Sequence, residues 1–362
     1  MQHVVVGAGA AGVVAAETLR KLDPEASIVL LGKEPAPPYS RMALPYFIAG
    51  DIGEEGLRIR RDDGFYRDRG IDLREAEVEA VSVGDQRLAL RGGQTLPYDR
   101  LLVATGSRPK APPFPGLAVE GVCHCWTLED ARTIVQRAHK GARVVLLGAG
   151  FVACIVMKAL LRRGVALTVV AGSSGRMVRS MLCPAAGAMI QRRCEDAGVT
   201  VITGDRVTKV DGGPAVWLDS GECLEAELVV VATGVEAQAD LFRDAGVAVD
   251  RGITVDDQLR SSAPNIFAAG DVAQGPTHGS GELEVHPVQP TAIEHGRVAA
   301  RNMTGRDAAF QGSVRMNVLD TLGLVSCALG RWQGVDFGDR FEAADLERRR
   351  YLRLELEEDR LV

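Results

Sequence analysis

Residues 1–34 read MQHVVVGAGAAGVVAAETLRKLDPEASIVLLGKE, and the fold follows from how this stretch is parsed. Val4-Val5-Val6 is a short apolar β-branched run, the mark of a strand buried on both faces. Gly7-x-Gly9-x-x-Gly12 follows at once, and Ala15, Ala16 and Leu19 then recur at helical spacing. Ile28 to Leu31 form a second strand, and Glu34 lies just beyond it. Gly7 makes the tight turn, Gly9 lets a pyrophosphate approach the backbone, and Gly12 lets helix and strand pack closely. The helix start offers free N–H groups and partial positive charge to phosphate. The acid after the second strand accepts hydrogen bonds from ribose hydroxyls. A glycine triplet alone says little. Strand, glycines, helix, strand and acid in this order predict a dinucleotide site.

Working outward, 362 residues suggest two or three domains, and 46% hydrophobic residues are enough to bury a core. A net charge of −6 argues against a nucleic-acid partner, and the arginines of Glu347-Arg348-Arg349-Arg350 sit among acids and read as a solvated face rather than as a binding run. The longest apolar stretch, Val144 to Leu161, is broken by Gly148, Gly150 and Lys158, and reads as strand-turn-helix rather than a membrane span. The chain opens directly in a strand, so no signal peptide is expected. Seven cysteines without metal spacing suggest a reducing cytoplasm. Cys123-x-Cys125 would place both thiols on one face of an extended stretch, as a redox pair or, in the favoured reading, as packing.

Pro35-Ala36-Pro37-Pro38 is a stiff loop leading to Tyr39-Ser40-Arg41-Met42-Ala43-Leu44-Pro45-Tyr46. Arg41 is its only cation, and a pyrophosphate is the anion it suits. Val78 to Val83 and Arg87 to Leu90 suggest an antiparallel excursion. Leu101-Leu102-Val103 then runs into the small-residue turn Ala104-Thr105-Gly106, and Pro109, Pro112, Pro113 and Pro115 mark a linker.

The opening pattern then returns. Arg143 to Leu147 is a strand, Gly148-x-Gly150-x-x-Ala153 is the glycine turn with alanine third, and a helix follows to about Arg163. Leu167 to Val170 is the next strand. Leu228 to Val231 runs into Ala232-Thr233-Gly234, echoing Ala104-Thr105-Gly106. Two such units in one order suggest an internal duplication, and two dinucleotides in one chain imply a redox relay. Ile266-Phe267-Ala268-Ala269-Gly270-Asp271 ends a strand on a carboxylate able to hold a sugar or sugar-alcohol hydroxyl. Pro290 suits the first turn of a helix through Met303.

Taken together, these motifs resemble the two-dinucleotide-domain flavoproteins of the pyridine nucleotide-disulfide oxidoreductase superfamily, over about residues 1–310. Tyr39-Ser40-Arg41 and the helix at Pro290 look most like NADH:rubredoxin oxidoreductases and the flavin part of nitrite reductase large subunits. The resemblance implies an α/β fold of two Rossmann-like, three-layer ββα domains, the second inserted in the first. An FAD domain would span 1–110 and 236–309, an NAD(P)H domain 111–235, and a short α+β interface domain 310–362. By the same resemblance FAD is held by Gly7, Gly9, Ala10, Ala11 and Gly12, by Glu34 and Arg41, and by Ala104, Thr105 and Gly106. Gly270 and Asp271 would take the ribityl hydroxyls, and Pro290 and Thr291 would face the flavin pyrimidine. NADH or NADPH would sit on Gly148, Gly150, Phe151 and Val152, with Ala171, Arg176, Ala232, Thr233 and Gly234.

Three departures qualify the resemblance. Met42 stands where disulfide-reducing relatives carry a redox cysteine, and a thioether cannot act as a thiolate does. Ile155 replaces a frequent glutamate beside the nicotinamide. Ala171, then Gly172, Ser173 and Ser174, replaces the acid that binds the adenosine ribose of NADH. Nothing there repels a 2′-phosphate, which Ser173, Ser174, Arg176 and Arg179 could bind. The chain stops at Val362, and the run Arg349 to Leu356 is expected to lack pairing strands.

The expected activity is hydride transfer from NAD(P)H to FAD, with electrons leaving to an external acceptor, a small redox protein or a partner subunit. Two alternatives stay open: an oxidase passing electrons to oxygen, and a flavin-carrying interaction subunit with weak nucleotide oxidation. No catalytic side chain or metal is assigned. His286 reads as a loop histidine, Glu294 and His295 as structural or solvent-facing, and Cys154 as packing. Trp332 would anchor a subunit or partner interface or cover the small third domain, and a homodimer is among the expected assemblies.

Overall fold

The valines at positions 4 and 5 are wholly buried at the centre of a parallel sheet, flanked on both sides by other apolar strands. The computed structural model describes residues 1–172, 175–331, 334 and 338–362. It divides into two compact units. The first comprises Met1–Met42, Glu54–Arg108 and Val235–Val314; the second comprises Ala43–Gly53, Pro109–Gly234 and Arg315–Val362.

In the first unit the parallel sheet has five strands, in the order Ile266–Ala268, Arg100–Val103, Gln2–Val6, Ser27–Gly32, Ile71–Glu75. Val4 pairs in register with Val29 on one side and Leu101 on the other. Helix Ala10–Leu22 buries Val13, Ala16 and Leu19. The polar stretch of residues 76–97 forms the expected antiparallel excursion: Val78–Ser82, Arg87–Leu90 and Thr95–Pro97. Val78, Leu88, Leu90 and Leu96 belong to the same core as the parallel strands and the helices. Antiparallel sheet, parallel sheet and helices therefore share one apolar interior. Helix Gln289–Met303 lies against helix Ala10–Leu22 with almost no side chain between them. A Cβ on Gly296 would come within 2.4 Å of the Ala11 carbonyl oxygen.

The second unit repeats the plan. Its parallel sheet runs Thr200–Ile202, Ala166–Val170, Arg143–Leu147, Leu228–Val231, Val122–His124. Val145, Leu147, Val229 and Val231 alternate along their strands and pack on Val210, Val216 and Leu218 of an antiparallel sheet. This is the period-2 rule of a strand facing two layers. Arg163 closes the helix side, donating to the carbonyls of Ile48, Val135 and Ala138.

Among the described residues of 315–362 the regular elements are strands. Met316–Thr321 pairs with Leu324–Leu329. The run Arg349 to Leu356, expected to lack partners, has one on each side: Arg350–Glu357 lies between Asp339–Asp345 and Arg360–Leu361. The partners were missed because Asp339–Asp345 is polar and almost wholly exposed, so it carries no apolar alternation. The fold is α/β with parallel sheets. No described helix is long and apolar enough to cross a membrane.

Candidate functional site

The two glycine turns are near copies. Gly7 has φ +115° and Gly148 φ +112°, both in the region that favours glycine. A Cβ on Gly7 would lie 2.0 Å from the Ala104 oxygen, and one on Gly148 would lie 2.3 Å from the Ala232 oxygen. Gly7 N–H donates to Leu31 (2.8 Å) as Gly148 N–H donates to Val170 (2.9 Å). Ala104 N–H donates to Val6 and Ala232 N–H to Leu147, each at 2.8 Å. The duplication expected from sequence thus holds at the level of individual hydrogen bonds.

Gly9 and Gly150 each begin a helix in extended conformation, without a side-chain cap. A Cβ on either would meet none of the described residues within 4 Å. The first intrahelical bonds run from Val13 N–H to Gly9 and from Cys154 N–H to Gly150. The N–H groups of Ala10, Ala11 and Gly12, and of Phe151, Val152 and Ala153, precede them. Each turn is therefore a backbone cradle with donors at a helix N-terminus, the chemistry that receives a phosphate. Gly12 plays its expected part: its Cβ would lie 1.9 Å from the Gly7 oxygen.

Around the first cradle, the Glu34 carboxylate accepts from the Tyr39 hydroxyl (2.6 Å) and the Arg41 guanidinium. Arg41 also donates to the Tyr39 oxygen at 3.1 Å. The predicted acid and cation are brought together, with Tyr39 as a link the sequence did not assign. Thr105 Oγ1 donates to the Gln238 carbonyl (2.8 Å), and Gly106 has φ +70°. The Asp271 carboxylate accepts from Ser107 Oγ at 2.8 Å. Burial holds its carboxyl above the usual range, against the opposing effects of the Ser107 hydrogen bond and the Arg41 charge. Ser107 was missed, although it directly follows the Ala-Thr-Gly turn. Pro290 occupies the first turn of helix Gln289–Met303, and Thr291 is buried, its hydroxyl accepting from Ser313 at 3.2 Å. His286 is hydrogen-bonded to Thr277 (2.9 Å).

Around the second cradle, strand Ala166–Val170 leads into Ala171, whose N–H donates to Ile202, and Gly172 follows with φ +72°. Ser173 and Ser174 lie outside the described residues, as does Trp332. Arg176 donates to the Arg179 carbonyl at 3.5 Å. Val178, a buried β-branched residue with φ +50°, donates from its N–H to the Ala149 carbonyl at 2.7 Å. Such a conformation costs energy in a β-branched residue. No sequence signal marks it. Val152 is exposed and Ile155 half-buried. Cys125 and Cys154 are buried, which pushes both thiols up to about 12, and Cys123 is raised in the same way. All three behave as packing groups. No group of His, Cys, Asp or Glu among the described residues could hold a metal.

His295 is 2% exposed, which leaves the structural of its two readings. Its Nδ1 accepts from Gly270 N–H (3.3 Å), and its ring stands edge-on to Phe310 at 4.4 Å. Burial, with the His286 charge, pushes its pKa down to about 4. An unfolded chain takes up this proton as pH falls through 6.5, and the folded protein does so only near 4. Stability from this group is complete above pH 6.5 and is lost between 6.5 and 4, by ~3 kcal/mol in all. Buried His3 shifts in the same direction. Urea unfolding at pH 7 and pH 4.5 should show His295→Gln losing less stability on acidification than the wild type.

Two backbone cradles on tandem parallel sheets define a protein built to hold two dinucleotides. The chain belongs to the pyridine nucleotide-disulphide oxidoreductase family, which it matches over residues 1–298. It is 29% identical over 357 residues to the NADH-dependent phenylglyoxylate dehydrogenase subunit epsilon of Aromatoleum evansii, covering 97% of this chain and 84% of that one. It is 36% identical over 317 residues to the ferredoxin–NAD(+) reductase component of the anthranilate 1,2-dioxygenase system of Burkholderia cepacia, covering 85% and 76%. Among solved structures, the covalent putidaredoxin reductase–putidaredoxin complex superposes with TM-score 0.91 at 26% identity, covering 99% of this chain and 88% of that one. The protein is an FAD-dependent NAD(P)H oxidoreductase. The open cradles at Gly9 and Gly150 fit its two cofactors.

Proposed function

We propose that the first unit holds FAD, that the second holds NAD(P)H through its Pro109–Gly234 portion, and that electrons leave to a small redox protein. The observation that carries the assignment is the pair of matched glycine turns. The first has Glu34 beyond its second strand and Asp271 nearby, and the second has neither acid. Gly7, Gly9 and the N–H groups of Ala10, Ala11 and Gly12 receive the FAD pyrophosphate, with Arg41 neutralising its charge. Glu34 takes the ribose hydroxyls. Ala104, Thr105 and Gly106 give the backbone room to approach, Gly270 and Asp271 hold the ribityl chain, and Pro290 and Thr291 begin the helix that faces the pyrimidine. Gly148, Gly150 and the N–H groups of Phe151 and Val152 receive the nucleotide pyrophosphate, with Ala232, Thr233 and Gly234 alongside. Ala171 leaves the adenosine end without a carboxylate and Arg176 adds positive charge, so NADPH is accepted as well as NADH.

Bound at the first cradle, FAD would supply the redox chemistry, hydride uptake and single-electron release. The chain's part is to orient both cofactors and to add no thiol relay. Met42, 53% exposed, cannot form the mixed disulfide a cysteine would. Relatives named as a ferredoxin reductase and a reductase–putidaredoxin complex support the choice of acceptor. Seven free cysteines support a reducing, cytoplasmic setting. A second reading, with a partner subunit as acceptor, is favoured by the match to a subunit of a larger dehydrogenase over 97% of the chain.

Anaerobic stopped-flow titration of the FAD-loaded protein tests both cofactors. Either NADH or NADPH should bleach the flavin band, and the reduced protein should then reduce a rubredoxin or ferredoxin. No bleaching by either would remove the nucleotide role of the second unit. Rapid turnover under air without added protein would make oxygen the acceptor.

A further inference from the structure

We infer that His295 is a positioning residue of the flavin site, fastening the Gly270-Asp271 turn to the helix that begins at Pro290. The inference rests on the FAD reading of the first unit. Gly270 has φ +77° and is buried. A Cβ there would lie 3.3 Å from the Ala11 Cβ and 3.5 Å from the Ala292 Cβ, so the turn is wedged against two helices. Ala292 and His295 stand three residues apart on one face of helix Gln289–Met303. Both meet Gly270, Ala292 by contact and His295 by accepting its N–H at Nδ1.

Only an unprotonated ring nitrogen accepts a hydrogen bond, so the imidazole is neutral and carries its hydrogen on Nε2. Nε2 is buried and has no hydrogen-bond partner among the described residues. An apolar side chain would avoid that orphan donor, but it would leave the Gly270 N–H with no acceptor in a dry interior. The imidazole thus spends stability to fix one backbone amide. Asp271 follows that amide directly, and its carboxylate is held from the other side by Ser107. One hydrogen bond therefore sets the carboxylate against the helix N-terminus. These are the two features assigned to the ribityl chain and the pyrimidine.

The test compares FAD titration of wild-type, His295→Leu and His295→Gln apoprotein, with the visible circular dichroism and midpoint potential of the bound flavin. His295→Leu should bind FAD roughly tenfold more weakly, the cost of about one hydrogen bond, with altered dichroism and potential. His295→Gln, whose Oε1 can accept from Gly270, should restore all three toward the wild type. His295→Leu with wild-type affinity, dichroism and potential overturns the inference and leaves the FAD reading standing. Wild-type protein that takes up no FAD overturns the reading itself, and the inference with it. Should His295→Leu fail to fold, 15N NMR of histidine-labelled wild-type holoprotein decides. Hydrogen on Nε2 supports the inference, and hydrogen on Nδ1 overturns it.

Discussion

Gly7→Ala is expected to abolish FAD retention and to lower stability by about 4 kcal/mol or more, the range reserved for backbone and core disruptions. Two costs combine. The residue sits at φ +115°, which an alanine adopts only under strain, and its Cβ would overlap the Ala104 carbonyl oxygen at 2.0 Å. That oxygen belongs to the turn after Arg100–Val103, so relief would pull apart two neighbouring strands of the sheet. Gly9→Ala is the control. Its methyl meets none of the described residues within 4 Å, so the apoprotein should melt as the wild type does while binding FAD more weakly. Thermal melts and FAD titrations of the two variants separate the roles. A Gly7→Ala protein with wild-type melting and wild-type flavin content would refute the turn geometry.

Gly148→Ala should leave the flavin in place and remove its reduction by NAD(P)H. The same two costs apply, at φ +112° and 2.3 Å from the Ala232 oxygen, but in the second unit. A displacement of the order of an ångström in a positioning loop costs on the order of 100-fold in rate. Stopped-flow bleaching should therefore slow by about that factor while dithionite still reduces the flavin at once. Loss of flavin from this variant would contradict the separate assignment of the two cradles.

The glycine turns were legible in the sequence because each glycine answers a local steric demand that no other residue meets. The strand–turn–helix order and the antiparallel excursion of residues 78–90 were legible for similar reasons, short spans and strong periodicity, whereas the sequence assigned Glu34 to ribose and Arg41 to pyrophosphate and did not show that the two pair. Contacts that cross the chain were not. Ser107 reaches Asp271 over 164 positions, and nothing in either local sequence announces it. His295 follows Glu294 on an amphipathic helix, so its neighbours left structural and solvent-facing readings both open. Its burial comes from Phe310 and the Gly270 turn, which only tertiary packing supplies. The pairing of Arg350–Glu357 was illegible because its partner, Asp339–Asp345, has a solvent-exposed, charged composition.

The order in which the parallel strands are synthesised bears on how the chain matures on the ribosome. The second unit's parallel strands all lie between Val122 and Ile202 or at Leu228–Val231, and emerge as one continuous block. The first unit's sheet waits for its edge strand, Ile266–Ala268, and for helix Gln289–Met303, long after its other four strands have left the tunnel. A nascent chain halted once Gly234, but not Ile266, has cleared the tunnel should therefore protect the later-encoded sheet from protease before the earlier one. The N-terminal cradle would spend that interval as an unfinished surface, dependent on chaperones at the stage when the rest of the polypeptide is still being made.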